Sequence, residues 1–227
     1  MNFIIDCAAP DIVKHNLKKM GNVFYSSYLD IEDKSVSSHP DMQIHFISDA
    51  AAVCEPTLFE YYRRVLPDYI SLKKGSVKIG RTYPENCAYN IARMGSYILC
   101  NTKYAEKSIL DYYKKQNYHI IHINQGYAKC SICPINDKVF ITEDKGIFGT
   151  VSKIDGIKPI LIEVGEVSLD GFEYGFIGGA SGTAEEAVLF SGRVSKNIAE
   201  IVKNEGRSVT ILSDDALRDI GSIISFT

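Results

Sequence analysis

Short apolar runs and amphipathic stretches follow one another along this chain in a fixed order. A strand-like run is followed by a second, then by apolar positions at helical spacing, then by a closing run. The clearest copy predicts a strand over Asn86–Arg93, a turn at Met94-Gly95 and a strand over Ser96–Asn101. A helix follows over Tyr104–Gln116, with Ile109, Leu110, Tyr112 and Tyr113 near helical spacing, and Tyr118–Asn124 closes the unit. The pattern returns at roughly 45 residues, a period typical of repeat architectures.

Three further copies are complete. One runs Met42–Ser48, Ala51–Cys54, helix Thr57–Val65 and Asp68–Leu72. Another runs Lys129–Ile135, Lys138–Glu143, a short helix near Gly146–Lys153 and Lys158–Val164. The last runs Gly178–Thr183, Ala187–Ser191, helix Val194–Asn204 stopped by Gly206, and Ser208–Leu212. The first copy lacks its opening strand: it has only Asn2–Asp6, helix Pro10–Met20 and Asn22–Ser26. Ser222–Phe226 belongs to no other unit, so this C-terminal strand is expected to complete the first unit. Such closure would protect sheet edges that an open array leaves unpaired. The expected fold is therefore α/β, a five-bladed propeller of ββαβ units with its ring closed by the C-terminal strand. One domain over residues 1–227 is expected, with units near 1–27 plus 219–227, 39–75, 85–125, 127–166 and 175–213. The alternative is an ordinary three-layer α/β sheet without a repeat.

Composition narrows the function. The chain has 227 residues, 45% hydrophobic and 23% charged, in the ordinary globular range. A net charge of −3 offers no basic footprint for nucleic acid. The apolar runs are too short and too charged to span a bilayer. Met1 leads directly into a strand without a signal-like core, so a cytoplasmic location is expected. The six cysteines are then expected as free thiols.

Three segments carry a resemblance. His39-Pro-Asp41 before Met-Gln-Ile-His-Phe looks like a His-x-Asp element that opens a strand. Lys129-Cys-Ser-Ile-Cys133 before Lys138-Val-Phe-Ile-Thr142 looks like a strand-pair opening. Asp219-Ile-Gly-Ser-Ile-Ile-Ser-Phe-Thr227 looks like a final Gly-rich strand. With the fivefold repeat, these resemble the pentein fold of the guanidino-group-modifying enzymes: arginine and agmatine deiminases, dimethylarginine dimethylaminohydrolase and the amidinotransferases. An uncharacterised clostridial-type branch of that fold is also similar. The resemblance implies an axial small-molecule pocket. The chain departs from the family in its tail, where Ser225 stands in place of the nucleophilic Cys and Ile224 precedes it. A hydroxyl needs a positioned base where a thiol is already partly ionised, so standard deiminase activity is not expected.

In a closed propeller the starts of the inner strands converge. The alignment brings Asp41, Cys87, Cys130, Gly179 and Asp219 to one repeat position, with His39, Asn86, Lys129 and Gly178 beside them. A packing position should hold similar small residues in every copy, as Cys7, Cys54, Cys100, Thr142 and Ser191 do at the end of the second strand. The varied set at the strand starts points to a site. His39, Asp41 and Cys130 are the catalytic candidates. Asn86, Cys87, Lys129, Gly179, Asp219 and Ser225 are the substrate-binding ones. His39 and Asp41 form a plausible acid–base pair. Cys130-x-x-Cys133 is a single pair placed in a predicted strand, so no metal is expected there, and no cofactor. A small-molecule ligand, cationic if it pairs with Asp41 and Asp219, is expected. Two functions stay open. One is a non-catalytic protein that binds a ligand or partner. The other is a hydrolase or amidinotransferase-like enzyme acting on a guanidino or amidino compound through Cys130 or Cys87.

Overall fold

Each expected unit folds around its middle strand. A computed structural model, which describes residues 1–227, contains five three-stranded sheets. In each, the middle strand runs antiparallel to an inner partner and parallel to an outer one. The first sheet joins Ile224–Phe226, Asn2–Ile5 and Asn22–Tyr25. The second joins Ile44–Ser48, Ala51–Cys54 and Ser71–Lys74; the third, Ala92–Met94, Tyr97–Cys100 and His119–His122. The fourth joins Cys133–Pro134, Val139–Thr142 and Lys158–Leu161; the fifth, Ser181–Ala184, Ala187–Phe190 and Ser208–Ile211. The C-terminal strand pairs with the N-terminal one, Asn2 opposite Phe226 and Ile4 opposite Ile224.

A parallel middle–outer pair needs a crossover, and a helix supplies it in every unit. The crossover helices are Asp11–Lys18, Phe59–Val65, Lys107–Lys115, Lys145–Val151 and Lys196–Asn204. Side chains cap several of their first turns. Glu106 accepts from the Ser108 N–H, Asp144 from Ile147 and Ser195 from Ile198. Gly206, at a φ of +78°, lets the chain leave the last helix in the left-handed region. Each helix buries one stripe: Ile109, Leu110 and Tyr113 in the third unit, Ile198 and Val202 in the fifth. Full burial of such side chains contributes roughly 1.5–3 kcal/mol each.

The apolar core is layered between consecutive sheets. Phe226 packs with Phe46 of the second sheet, in a cluster that continues to Ile98 of the third sheet and Tyr113 of its crossover helix. Ala92 and Leu99 pack with Phe140, and Ile141 with Val188 and Phe190. Phe3 and Ile5 pack with Leu189 and Ile223, which couples the first sheet to the fifth. No ladder joins the five sheets into one closed sheet; isolated bridges such as Gly182 to Ile223 link neighbours. No helix is long and apolar enough to cross a membrane.

The structure corrects the expected inner strands, which begin later than the apolar pattern implied. Ala128–Ser131 is a helical turn, and only Cys133–Pro134 remains strand of the expected Lys129–Ile135. The expected strand Asn86–Arg93 is extended only from Ala92 to Met94, and Pro40–Met42 is a 3₁₀ turn. The reason is that these segments carry buried polar side chains. Their backbone turns let those groups find partners that a straight ladder cannot offer.

Candidate functional site

The turns ahead of the inner strands meet at the centre of the molecule. Asp41 stands just before Ile44, Asn90 before Ala92, Cys130 before Cys133, Gly178 before Ser181 and Ser222 before Ile224. Close approach of backbones needs the glycines: a Cβ on Gly178 would strike the carbonyls of Lys129, Cys130 and Ile132, and one on Gly179 would strike the Asp219 carboxylate. The Gly179 N–H donates to the Cys130 carbonyl at 2.8 Å, and its own carbonyl accepts from Ser222 N–H at 2.7 Å. That residue thus ties the fourth and fifth units to the tail.

Asp41 is the hub. The Cys130 thiol donates to its Oδ2 at 2.9 Å, and the Ser222 hydroxyl donates to the same oxygen at 2.7 Å. The other oxygen, Oδ1, is buried without a partner. Asn90 organises Cys130: its Nδ2 donates to Sγ at 3.1 Å, and its Oδ1 accepts from the backbone N–H of Lys129 and Cys130. His39 lies between two more buried carboxylates, Nε2 at 3.9 Å from Asp6 and Nδ1 at 3.7 Å from Asp219. Asp219 is held by the N–H groups of Phe176 and Gly221. The cluster therefore holds three carboxylates, Asp6, Asp41 and Asp219, around one imidazole and one thiol, all buried.

This environment disfavours negative charge on the central groups. Burial pushes Asp41 up to about 6, reinforced by Asp219 and opposed by His39 and by the hydrogen bonds from Cys130 and Ser222. Burial, then the charges of Asp41 and Asp219, hold the Cys130 thiol well above its usual range. The free protein keeps this cysteine as a thiol. His39, Asp41 and Cys130 each offer one ligand atom, all within 4.8 Å of one another, so these three are the residues that could hold a metal ion.

Two clefts flank the cluster. The first, about 800 Å³, is bounded by His39, Asn86, Cys130 and Asp219, with Tyr83, Tyr127, Phe172, Tyr174 and Phe176 among its walls. The second, about 690 Å³, lies along the inner strands and reaches Asp41 from the other side. Of the residues expected in one site, His39, Asp41, Cys130, Gly179 and Asp219 come together, and Asn86, which accepts from the Tyr127 hydroxyl at 2.9 Å, lines the same cleft as His39, Cys130 and Asp219. Cys87 stands apart: its thiol donates to the Pro84 carbonyl at 2.9 Å, burial pushes it up to about 11, and it lines neither cleft. The turn that replaces the expected strand rotates Cys87 away and presents Asn90 instead. Lys129 and Ser225 line the second cleft, away from His39. Ser225 lies within the closing strand opposite Phe3, and Ser222 is the tail residue that meets Asp41.

Sequence reasoning missed Asp6, Asn90 and Ser222. For Asn90 and Ser222 the signal was available: counting back from each inner strand's first apolar residue, instead of aligning whole strands, reaches both. Asp6 ends a middle strand, and nothing in its neighbourhood announces a partner in His39.

A family model matches residues 4–224, and its description is a family of unknown function, DUF6873. The chain belongs to that family. No curated protein matches it. Solved structures do. A dimethylarginine dimethylaminohydrolase adduct with 4-chloro-2-hydroxymethylpyridine superposes with a TM-score of 0.55 at 10% identity, covering 92% of this chain and 91% of the other. A cysteine-to-serine mutant of that enzyme from Pseudomonas aeruginosa, complexed with citrulline, gives 0.55 at 9% identity, with 97% and 92% covered. The amidinotransferase SxtG from Microseira wollei gives 0.55 at 12% identity, with 100% and 96% covered. At such identity the likeness concerns the fold, which is that of the pentein guanidino-modifying enzymes.

Proposed function

We propose that the first cleft binds a small organic cation with a planar guanidino or amidino head, and that Cys130 reacts with it. On this reading the five sheets are blades of one closed propeller and the cleft is its axial pocket. The observation that carries the proposal is the charge imbalance around Cys130. Asp41 and Asp219 act on it, Asp6 stands behind His39, one oxygen of Asp41 is unpartnered, and His39 is the only side chain in the cluster able to carry positive charge. Buried charge is costly unless matched, so the cluster favours a cation from outside. Aromatic rings in the cleft wall suit a planar cation.

The same imbalance gives a mechanism in which the ligand activates the site. A cation beside Asp41 and Cys130 favours their charged forms and lowers both pKa values. The thiol then passes its proton to Asp41, and sulfur forms a bond to the central carbon of the head group. An amine leaves with a proton supplied by His39. Water then attacks the remaining thio-adduct and gives a proton back to His39, and the departing sulfur takes its proton back from Asp41, which restores the thiol. The roles are nucleophile for Cys130, proton acceptor for Asp41 and proton donor for His39, while Asp219 and Asp6 orient the imidazole. Arginine and agmatine deimination is not expected, because the tail from Asp219 to Thr227 carries Ser225 where the resemblance calls for a thiol and holds no cysteine at all.

Alkylation with two reagents of the same size tests this. Chloroacetamidine is cationic and chloroacetamide is neutral. The cationic reagent should label Cys130 at least tenfold faster, with one adduct by mass spectrometry, and Cys130→Ser should abolish the adduct. Equal rates for the two reagents, or labelling at another cysteine, would refute the reading. The resting protonated state of Cys130 favours a second reading, binding without turnover. Saturable binding of a guanidino compound with no adduct would establish it.

A further inference from the structure

The second cleft has the opposite character. Three half-buried cations line it: Arg93 from the third sheet, Lys129 from the turn before the fourth and Arg207 beside the fifth. Lys138 stands at its rim. Arg93, Lys129 and Lys138 take part in none of the chain's ion pairs. Arg207 pairs with the exposed Glu186 at 3.8 Å and donates to the Ala187 carbonyl at 3.4 Å, while its Nε is buried without a partner. Three of the cleft's four acids, Asp49, Asp137 and Glu185, are exposed at the edge, where water screens them, which leaves Asp41 as the one buried acid facing the three half-buried cations; Cys130 and Ser222 donate to its Oδ2, and its Oδ1 has no partner. His45, also in the wall, has its Nε2 hydrogen-bonded with the Tyr113 hydroxyl at 2.7 Å. Burial and the nearby charges of Arg93 and Lys129 push it down to about 3.

Basic side chains from three units, two of them in no ion pair, line a cavity large enough for a small metabolite, and that needs an explanation. Surface lysines point outward into water, whereas these flank a concave wall with the neutral groups Asn136, Thr183 and Ser225 between them. Guanidinium forks match the planar geometry of oxyanions, and an ammonium adds a point charge.

We propose that this second cleft is a binding site for a small oxyanion, a carboxylate or phosphate, held by Arg93, Lys129 and Arg207. The site is distinct from the cleft at Cys130, since none of its three cations lines that cleft. It makes the molecule a two-ended receptor, with an acidic cleft for a cation and a basic one for an anion.

Calorimetric titration of the full chain with inorganic phosphate and with citrate, at ionic strength held constant by sodium chloride, tests the site. Saturable binding of at least one, at one site per chain, is expected. The two arms separate phosphate from carboxylate preference. Lys129→Gln should weaken binding at least tenfold without unfolding the protein, because the Lys129 ammonium makes no hydrogen bond or ion pair that is lost. Arg207→Gln should weaken it as well, and it serves as the independent check. Chloroacetamidine labelling of Cys130 should be unchanged in Arg207→Gln. Heats no larger than the chloride control, or wild-type affinity in both variants, would overturn the proposal.

Discussion

Cys130 and Cys133 are neighbours in sequence and belong to different worlds. Cys133 opens an inner strand, packs with Ile135, Ile141 and Phe190, and is pushed up to about 11 chiefly by burial. It behaves as a small hydrophobe, like Cys54 and Cys100 in the equivalent middle strands. Cys130 sits in a turn, donates to a carboxylate and receives from an amide. The contrast extends to the whole molecule. Sheet interiors hold interchangeable apolar residues and supply stability. The meeting point of the strand starts holds unlike polar residues, and their mutual repulsion and burial cost stability. Five similar units thus leave five unlike side chains free to build one asymmetric site.

The largest effect should come from the sheet side. Deleting residues 224–227 removes the inner strand of the first sheet and the Phe226 ring, which stacks on Phe46 at 4.6 Å. Losing a buried Phe alone costs about 3–5 kcal/mol, and the ladder goes with it. The truncated chain is expected to show no cooperative thermal unfolding. A melting curve near wild type would break the comparison, since the tail would then be dispensable.

Next comes a pH dependence from the polar side. Glu143, which follows the middle strand of the fourth unit, is pushed up to about 7 by burial, and its Oε1 has no partner. Its folded pKa exceeds its unfolded one, so the folded state holds the extra proton between about 4.5 and 7. Stability is then full below that window and falls as pH rises through it. Asp41 adds a fall between 3.8 and about 6. Glu143→Gln should match wild type at pH 4 and exceed it above pH 7, by up to about 3 kcal/mol, since each tenfold change in proton affinity is worth roughly 1.4 kcal/mol. Denaturant unfolding at the two pH values measures this. A variant less stable than wild type at pH 8 would show that the ionised carboxylate is better served than its surroundings suggest.

The smallest effect is the most discriminating. Cys133→Ser puts a hydroxyl into an apolar layer and should cost about 1–3 kcal/mol while leaving chloroacetamidine labelling of Cys130 intact. Cys130→Ser keeps a donor for Asp41 and should cost less than about 1 kcal/mol while removing the label. Both quantities come from paired denaturation and mass spectrometry. Equal stability losses in the two variants would erase the distinction between the two regions.

The sequence by itself determined the repeat, the order of strand, strand, helix and strand in each unit, and the pairing of the two orphan termini. Those depend on apolar periodicity, and periodicity is local: Ala51–Cys54 and the stripe Ile109, Leu110, Tyr113 are legible from their own neighbours. Composition variety at the strand starts also marked where a site should lie, and named His39, Asp41, Cys130 and Asp219. Only the tertiary structure decided how those starts turn. A polar residue buried at a backbone turn is placed by its partners, and its partners come from other units: Asn90 for Cys130, Ser222 for Asp41, Asp6 for His39. The gathering of Arg93, Lys129 and Arg207 was equally invisible, because they are scattered along the chain and line one cleft only when three units meet.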